Sequence, residues 1–232
     1  MCCPTYEKKI GSRERRRALS TSRTEAFSDG VFAIAATLLV LELKVPHVGP
    51  GGLSDALLER WPSYATYAVS FLTIGIVWVN HHAVLERIKK VNRPLLFLNL
   101  VFLMAVAAIP FPTALLADYL RAGHDEGLAA AVYGATMAVM GIAFGIIWAY
   151  AVLSDELLHD RIDPDRARRS LLIFAGGNPL YLLAIGVSLV SAEVALAIYA
   201  LLAFFYLFDV LPPLERGDEK GWENHKPPTS VG

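Results

Sequence analysis

Eleven consecutive residues, Val31 to Leu41, carry a single polar side chain, Thr37, and a second run of the same length, Leu180 to Val190, carries only Tyr181 and Ser188. A helix of a soluble bundle keeps one polar face. These runs have none, and a helix needs about 20 mainly apolar residues to cross a hydrocarbon core. Six stretches meet that requirement. They run from Ala26 to Val45, Pro62 to Val84, Pro94 to Leu116, Gly127 to Leu153, Ser170 to Val190 and Glu193 to Leu211. The expected fold is an all-α membrane protein with six transmembrane helices. Composition agrees: 19% of the 232 residues are charged, against about 25% in soluble domains. Disordered, collagen-like and disulfide-scaffold chains are excluded, and a soluble enzyme is disfavoured. A net charge of -1 gives no basic field for nucleic acid.

The placement of Lys and Arg sets the expected orientation, since cytoplasmic loops carry the excess. Eighteen of the 21 cluster on one side: in the N-tail through Arg23, in the loop holding Arg87, Lys89, Lys90 and Arg93, in the loop from Arg161 to Arg169, and in the C-tail. Lys44, Arg60 and Arg121 fall on the other. Six spans with both termini cytoplasmic follow. The organisation read from this is a basic N-tail over 1–22, a membrane domain over 23–211 and a disordered C-tail over 212–232. Residues 1–25 show no signal peptide. Cys2 and Cys3 read as free thiols in a tail. The loop from Ser154 to Arg169 is expected to extend the helices into water.

A polar cluster, Arg23-Thr24-Glu25-Ala26-Phe27-Ser28-Asp29-Gly30, opens the first span. A carboxylate inside a membrane helix is costly unless paired. Trp78-Val79-Asn80-His81-His82 at the inner end of the second span and Asn99 near the start of the third fall at similar depth. The cluster is therefore read chiefly as glue between helices. Adjacent histidines point about 100° apart on a helix and suit one metal ion poorly. No zinc-protease, paired-cysteine, phosphate-loop or nucleophile-elbow motif occurs, so no catalytic residue, cofactor or soluble substrate is expected. Trp78 reads as packing or an interfacial anchor.

Ile34, Leu38 and Leu41 follow i, i+4, i+7 spacing and form one stripe, flanked by Thr37. Pattern alone leaves that stripe facing lipid or core. The run Arg23-x-x-x-Phe27-Ser28-Asp29, continuing Gly-Val-Phe-Ala-Ile-Ala-Ala-Thr-Leu-Leu-Val-Leu-Glu, resembles the first-helix signature of the prokaryotic lysosomal-potassium-channel family, the TMEM175 type. The Trp78 to His82 run and the six-span layout are also similar. The resemblance implies a potassium-selective leak channel, a homotetramer of six-span subunits around a central pore lined by the first helices. It makes Ile34 the main constriction, Leu38 and Leu41 further layers toward the outside, and Thr37 a hydroxyl beside the ion path. It makes Arg23, Phe27, Ser28 and Asp29 the residues that hold the helix, with His81 or His82 and Asn99 as partners. Partners are identical subunits and membrane lipid, and the only metal is permeating potassium. The implied location is the plasma membrane.

A secondary transporter is the alternative, using Asp29, the histidines and a helix break at Gly176-Gly177-Asn178-Pro179. Pro110 and Pro112 are expected to kink the third span. Glu42, Asp55, Glu59, Asp118, Asp125 and Glu126 read either as solvated loop charges or as an outer field that concentrates cations.

Overall fold

The computed structural model describes residues 21–154 and 156–207. The tails, with Cys2 and Cys3, lie outside the described residues, as does the end of the sixth stretch. Eight α-helices occur among the described residues: α1 (Thr21–Leu38), α2 (Leu53–Glu59), α3 (Trp61–Glu86), α4 (Arg93–Ala108), α5 (Pro110–Ala122), α6 (Glu126–Leu153), α7 (Pro164–Ser188) and α8 (Ala192–Leu207). No strand is present among them; one isolated backbone bridge joins Ile88 and Leu158. Four helical segments are long and apolar enough to cross a membrane: Thr21–Glu42, Trp61–Glu86, Arg93–Ala122 and Glu126–Leu153. Asn178–Ser188 and Ala192–Tyr206 are shorter apolar segments. Each of the six apolar stretches thus falls mainly on helix among the described residues.

Local sequence accounts for the helix ends. At the head of α4 the Asn92 carboxamide accepts the Leu95 N–H at 3.0 Å, and its amino group donates to the Tyr150 hydroxyl of α6 at 2.9 Å. Asp163 caps α7 by accepting from the Asp165 N–H at 2.9 Å, ahead of Pro164 in the first turn. Side-chain caps of this kind satisfy donors that the first turn leaves open. Gly123 closes α5 at φ +73°, donating its N–H to the Tyr119 carbonyl; a side chain there would strain the left-handed backbone. The third stretch is two helices meeting at Ile109, because Pro110 and Pro112 each remove a donor from the ladder.

Three expectations are corrected. The first helix does not run to Val45: α1 ends at Leu38 and tightens into a 3₁₀ turn, Leu39–Glu42. The Gly176 to Pro179 segment is no break in the helix, since α7 continues through it with Pro179 inside. Of the loop from Ser154 to Arg169, the part from Pro164 does extend α7 beyond Ser170 with mostly exposed residues, but α6 stops at Leu153 and the stretch before Pro164 does not continue it. That stretch folds onto the α3–α4 loop: Lys89 N–H donates to Leu157 O at 2.7 Å and His159 N–H to Arg87 O at 3.1 Å. Ile88, Val91, Leu157 and Ile162 are buried beneath this contact, so apolar residues interleaved with the charges hold both loops down.

The core lies where α3, α4 and α6 meet, around the fully buried Phe102, Tyr133 and Trp148. The Trp148 indole donates to Ser170 Oγ of α7 at 2.8 Å. A Cβ on Gly134 would collide with the Tyr199 hydroxyl and Ile185, so that glycine sets how closely α7 and α8 approach α6.

Candidate functional site: the first helix and its buried polar support

The two faces of α1 differ. Thr24, Ser28, Phe32 and Ala35 are buried, and Leu39 continues the same face into the 3₁₀ turn. The opposite face turns out of the subunit: Phe27 is 56% exposed, Ile34 61%, Leu38 42% and Leu41 69%, with Thr37 among them. The Thr37 hydroxyl donates back to the Ile34 carbonyl at 2.9 Å. Its free lone pairs share the exposed face with the apolar side chains.

The inward face is pinned by a directed chain of hydrogen bonds across three helices. Ser28 Oγ donates its one proton to the Thr24 carbonyl at 2.8 Å. It must therefore accept from Asn99, whose Nδ2 lies 3.0 Å away. Asn99 Oδ1 is then the acceptor that faces His81 Nε2 at 2.8 Å, so Nε2 carries the proton. The four residues are buried on α1, α4 and α3. Aromatic rings close over the chain: His81 stacks on Phe102 with centroids 5.2 Å apart, while Phe32 and Phe144 flank it at 5.5 and 6.3 Å. Water is thereby kept from groups that only protein partners can satisfy.

Asp29 is held separately. The Trp78 indole of α3 donates to its Oδ1 at 2.8 Å, so Trp78 is a hydrogen-bond partner of the motif as well as a packing residue. Trp78 also stacks on His82, centroids 6.2 Å apart. His82 does not reach the buried chain. Its Nδ1 lies 2.7 Å from Glu25 Oε1 of α1, and its Nε2 lies 3.5 Å from Glu86 Oε1. Of the residues singled out from the sequence, the structure thus joins Ser28, Asn99 and His81. It places Asp29 and His82 in neighbouring contacts, and leaves Arg23 and Phe27 exposed on the subunit surface.

A second chain, which sequence reasoning did not find, supports the outer half. Thr113 Oγ1 donates to the Ile109 carbonyl at 2.8 Å. It therefore accepts from Ser70 Oγ at 2.7 Å, which accepts in turn from the Tyr133 hydroxyl at 3.1 Å. This chain ties α6 and α3 to the joint between α4 and α5. Near the C-terminal end of α5, Asp118 faces Lys44 at 3.6 Å and Arg121 at 3.8 Å, so one of the acidic residues read as a possible cation-concentrating field is partly neutralised. Among the described residues no group of three or more His, Cys, Asp or Glu is placed to hold a metal ion.

These features define an all-helical, multi-pass membrane protein. Its first helix is anchored on one face by buried polar groups and offers an apolar face outward. The family described as endosomal/lysosomal potassium channel TMEM175 matches residues 23–110. A protein from Streptomyces collinus named as a potassium channel is 51% identical over 83% of this chain and 94% of its own length. One from Chamaesiphon minutus, also named as a potassium channel, is 40% identical over 80% of this chain and 93% of its own. A crystal structure of a lysosomal potassium-selective channel TMEM175 homolog from Chamaesiphon minutus superposes with a TM-score of 0.74 at 36% identity, covering 83% of this chain and 98% of that one. The chain belongs to the TMEM175 family of channels.

Proposed function

We propose that the protein is a potassium-selective leak-type channel, a homotetramer in the plasma membrane with both termini cytoplasmic. The observation that carries this reading is the division of α1. A helix fixed rigidly by Ser28 and Asn99 turns Ile34, Leu38 and Leu41 away from its own subunit. The membership in a channel family supports it. Four copies around a closed axis bring four identical stripes together.

The flanks of α1 suit such a ring. At about 100° per residue, Phe27 lies within the stripe and Val31 at one edge of it, while Ala33 lies on the other side, with Asp29 and Ala36 further round. On the second side, α1 and the α3 residues Phe71, Gly75 and Trp78 outline a groove of about 380 Å³.

A neck of Ile34 side chains is an apolar constriction that dewets when narrow. When wider, it strips outer hydration from a passing ion and favours potassium, which holds water less tightly than sodium. Apolar rings cannot replace that water, so selectivity is weaker than a carbonyl filter provides. Thr37 adds a hydroxyl beside the path. The test is cation flux through purified protein in liposomes under potassium or sodium gradients. Potassium flux well above sodium flux is expected; equal fluxes, or none, would overturn the proposal.

A further inference from the structure

A cavity of about 90 Å³ lies among α3, α6, α7 and α8, and no residue of α1 lines it. Its polar groups are unusual for the depth at which they lie. Tyr181 is only 9% exposed, yet its hydroxyl has no hydrogen-bond partner among the described residues. Neither has the carboxamide of Asn178, which also faces the cavity. The amide is there by design of the backbone: a Cβ on Gly141 would come within 2.9 Å of Asn178 Oδ1. Buried polar groups are normally paired, and here the buried Tyr181 and the half-buried Asn178 line one shared space.

The chemistry of an occupant follows from the walls. Among the described residues no charged side chain lines the cavity, which suits a neutral occupant. Met137 and Met140 give a flexible apolar wall that adapts to a chain. The chamber is smaller than the roughly 150 Å³ cavity that admits benzene, so it takes a slim head and a few carbons. Through Ile76, Asn80 and Tyr206 it continues into an outer groove of about 300 Å³ along α3. That groove passes the exposed apolar side chains of Phe71, Leu72 and Val79, on a helix long and apolar enough to cross a membrane.

We infer that this chamber binds a neutral single-chain amphiphile with a hydroxyl head, entering from the bilayer. The head bonds Asn178 and Tyr181, and the chain lies along α3. A phospholipid is a poor match, because its phosphate would meet no cation and its second chain no room.

Photolabelling of the full-length protein in nanodiscs with a diazirine analogue of n-octanol tests this without any ion flux. Its outcome is therefore separate from that of the channel reading. Saturable labelling at Met137, Met140 and Tyr181 is expected, displaced by excess n-octanol and far less by n-octane. Tyr181→Phe removes only the hydroxyl and preserves packing. It should lower the preference for octanol over octane about threefold to tenfold, the effect of one hydrogen bond. Asn178→Leu combined with Tyr181→Phe should abolish the preference. Non-saturable labelling spread over Leu72 and Val79 would overturn the inference. So would displacement by octane as effective as by octanol, or no labelling of the chamber because water alone fills it.

Discussion

Asn99→Leu probes the support of α1 at its most connected point. Leucine fills roughly the same space but removes the acceptor 2.8 Å from His81 Nε2 and the donor 3.0 Å from Ser28 Oγ. Ser28 keeps its bond to the Thr24 carbonyl. His81 keeps nothing: its N–H is left among Phe32, Phe102 and Phe144. An orphaned buried donor costs about 1–3 kcal/mol, and an interhelical hydrogen bond in a membrane protein contributes about 0.6 kcal/mol on average. The expected loss is about 2–3 kcal/mol. Adding His81→Phe removes the orphan and keeps a ring on the Phe102 stack, so the double variant should recover about 1–2 kcal/mol relative to Asn99→Leu. Unfolding in mixed micelles by increasing SDS, followed by tryptophan fluorescence, measures both. A loss below about 0.5 kcal/mol for Asn99→Leu would refute the argument. So would a double variant as damaged as the sum of its singles.

Other perturbations separate structure from conduction. Asp29→Ala should lower the yield of assembled oligomer in detergent while the surviving protein keeps its ion preference, and Trp78→Phe should do the same more mildly by removing the indole donor; a stable Asp29→Ala protein with altered preference would place Asp29 in the ion path. Leu39→Ala empties a fully buried site and should cost about 2–5 kcal/mol in the same SDS titration without changing selectivity. Lys89→Ala breaks a 2.9 Å pair with Asp160 that is largely exposed, and should shift stability by less than about 1 kcal/mol.

The span pattern was legible because hydrocarbon imposes a length and an absence of charge that no local detail disguises. The motif around Ser28 and Asp29 was legible because polar side chains at membrane depth require partners. Which partner each one takes depends on the rotation of α3. Near the C-terminal end of that helix, Trp78 and His82 lie one turn apart and face Asp29 and Glu25, while His81 points about 100° from His82, toward Asn99. No sequence spacing distinguishes those two faces. Leu39 illustrates the converse. Its angular distance from Ile34 was predictable, but only packing reveals that it lies in the core, where truncation is costly. The Gly-Gly-Asn-Pro segment reads as a break because its local propensities are poor, yet α7 runs through it. The Tyr133–Ser70–Thr113 chain and the cavity beside Tyr181 join residues distant in sequence through ordinary side chains, and nothing in the spacing of those residues marks them.

The central claim is that the outward stripe of α1 lines the ion path with Ile34 at its neck. Reversal potentials under bi-ionic potassium and sodium, for the wild type, Ile34→Ala and Ile34→Asn, test it most directly. The wild type should favour potassium. Ile34→Ala should widen the ring and raise sodium permeability relative to potassium, and Ile34→Asn should wet the neck and weaken discrimination as well. Unchanged reversal potentials in both variants, with currents intact, would remove Ile34 from the path and contradict the account.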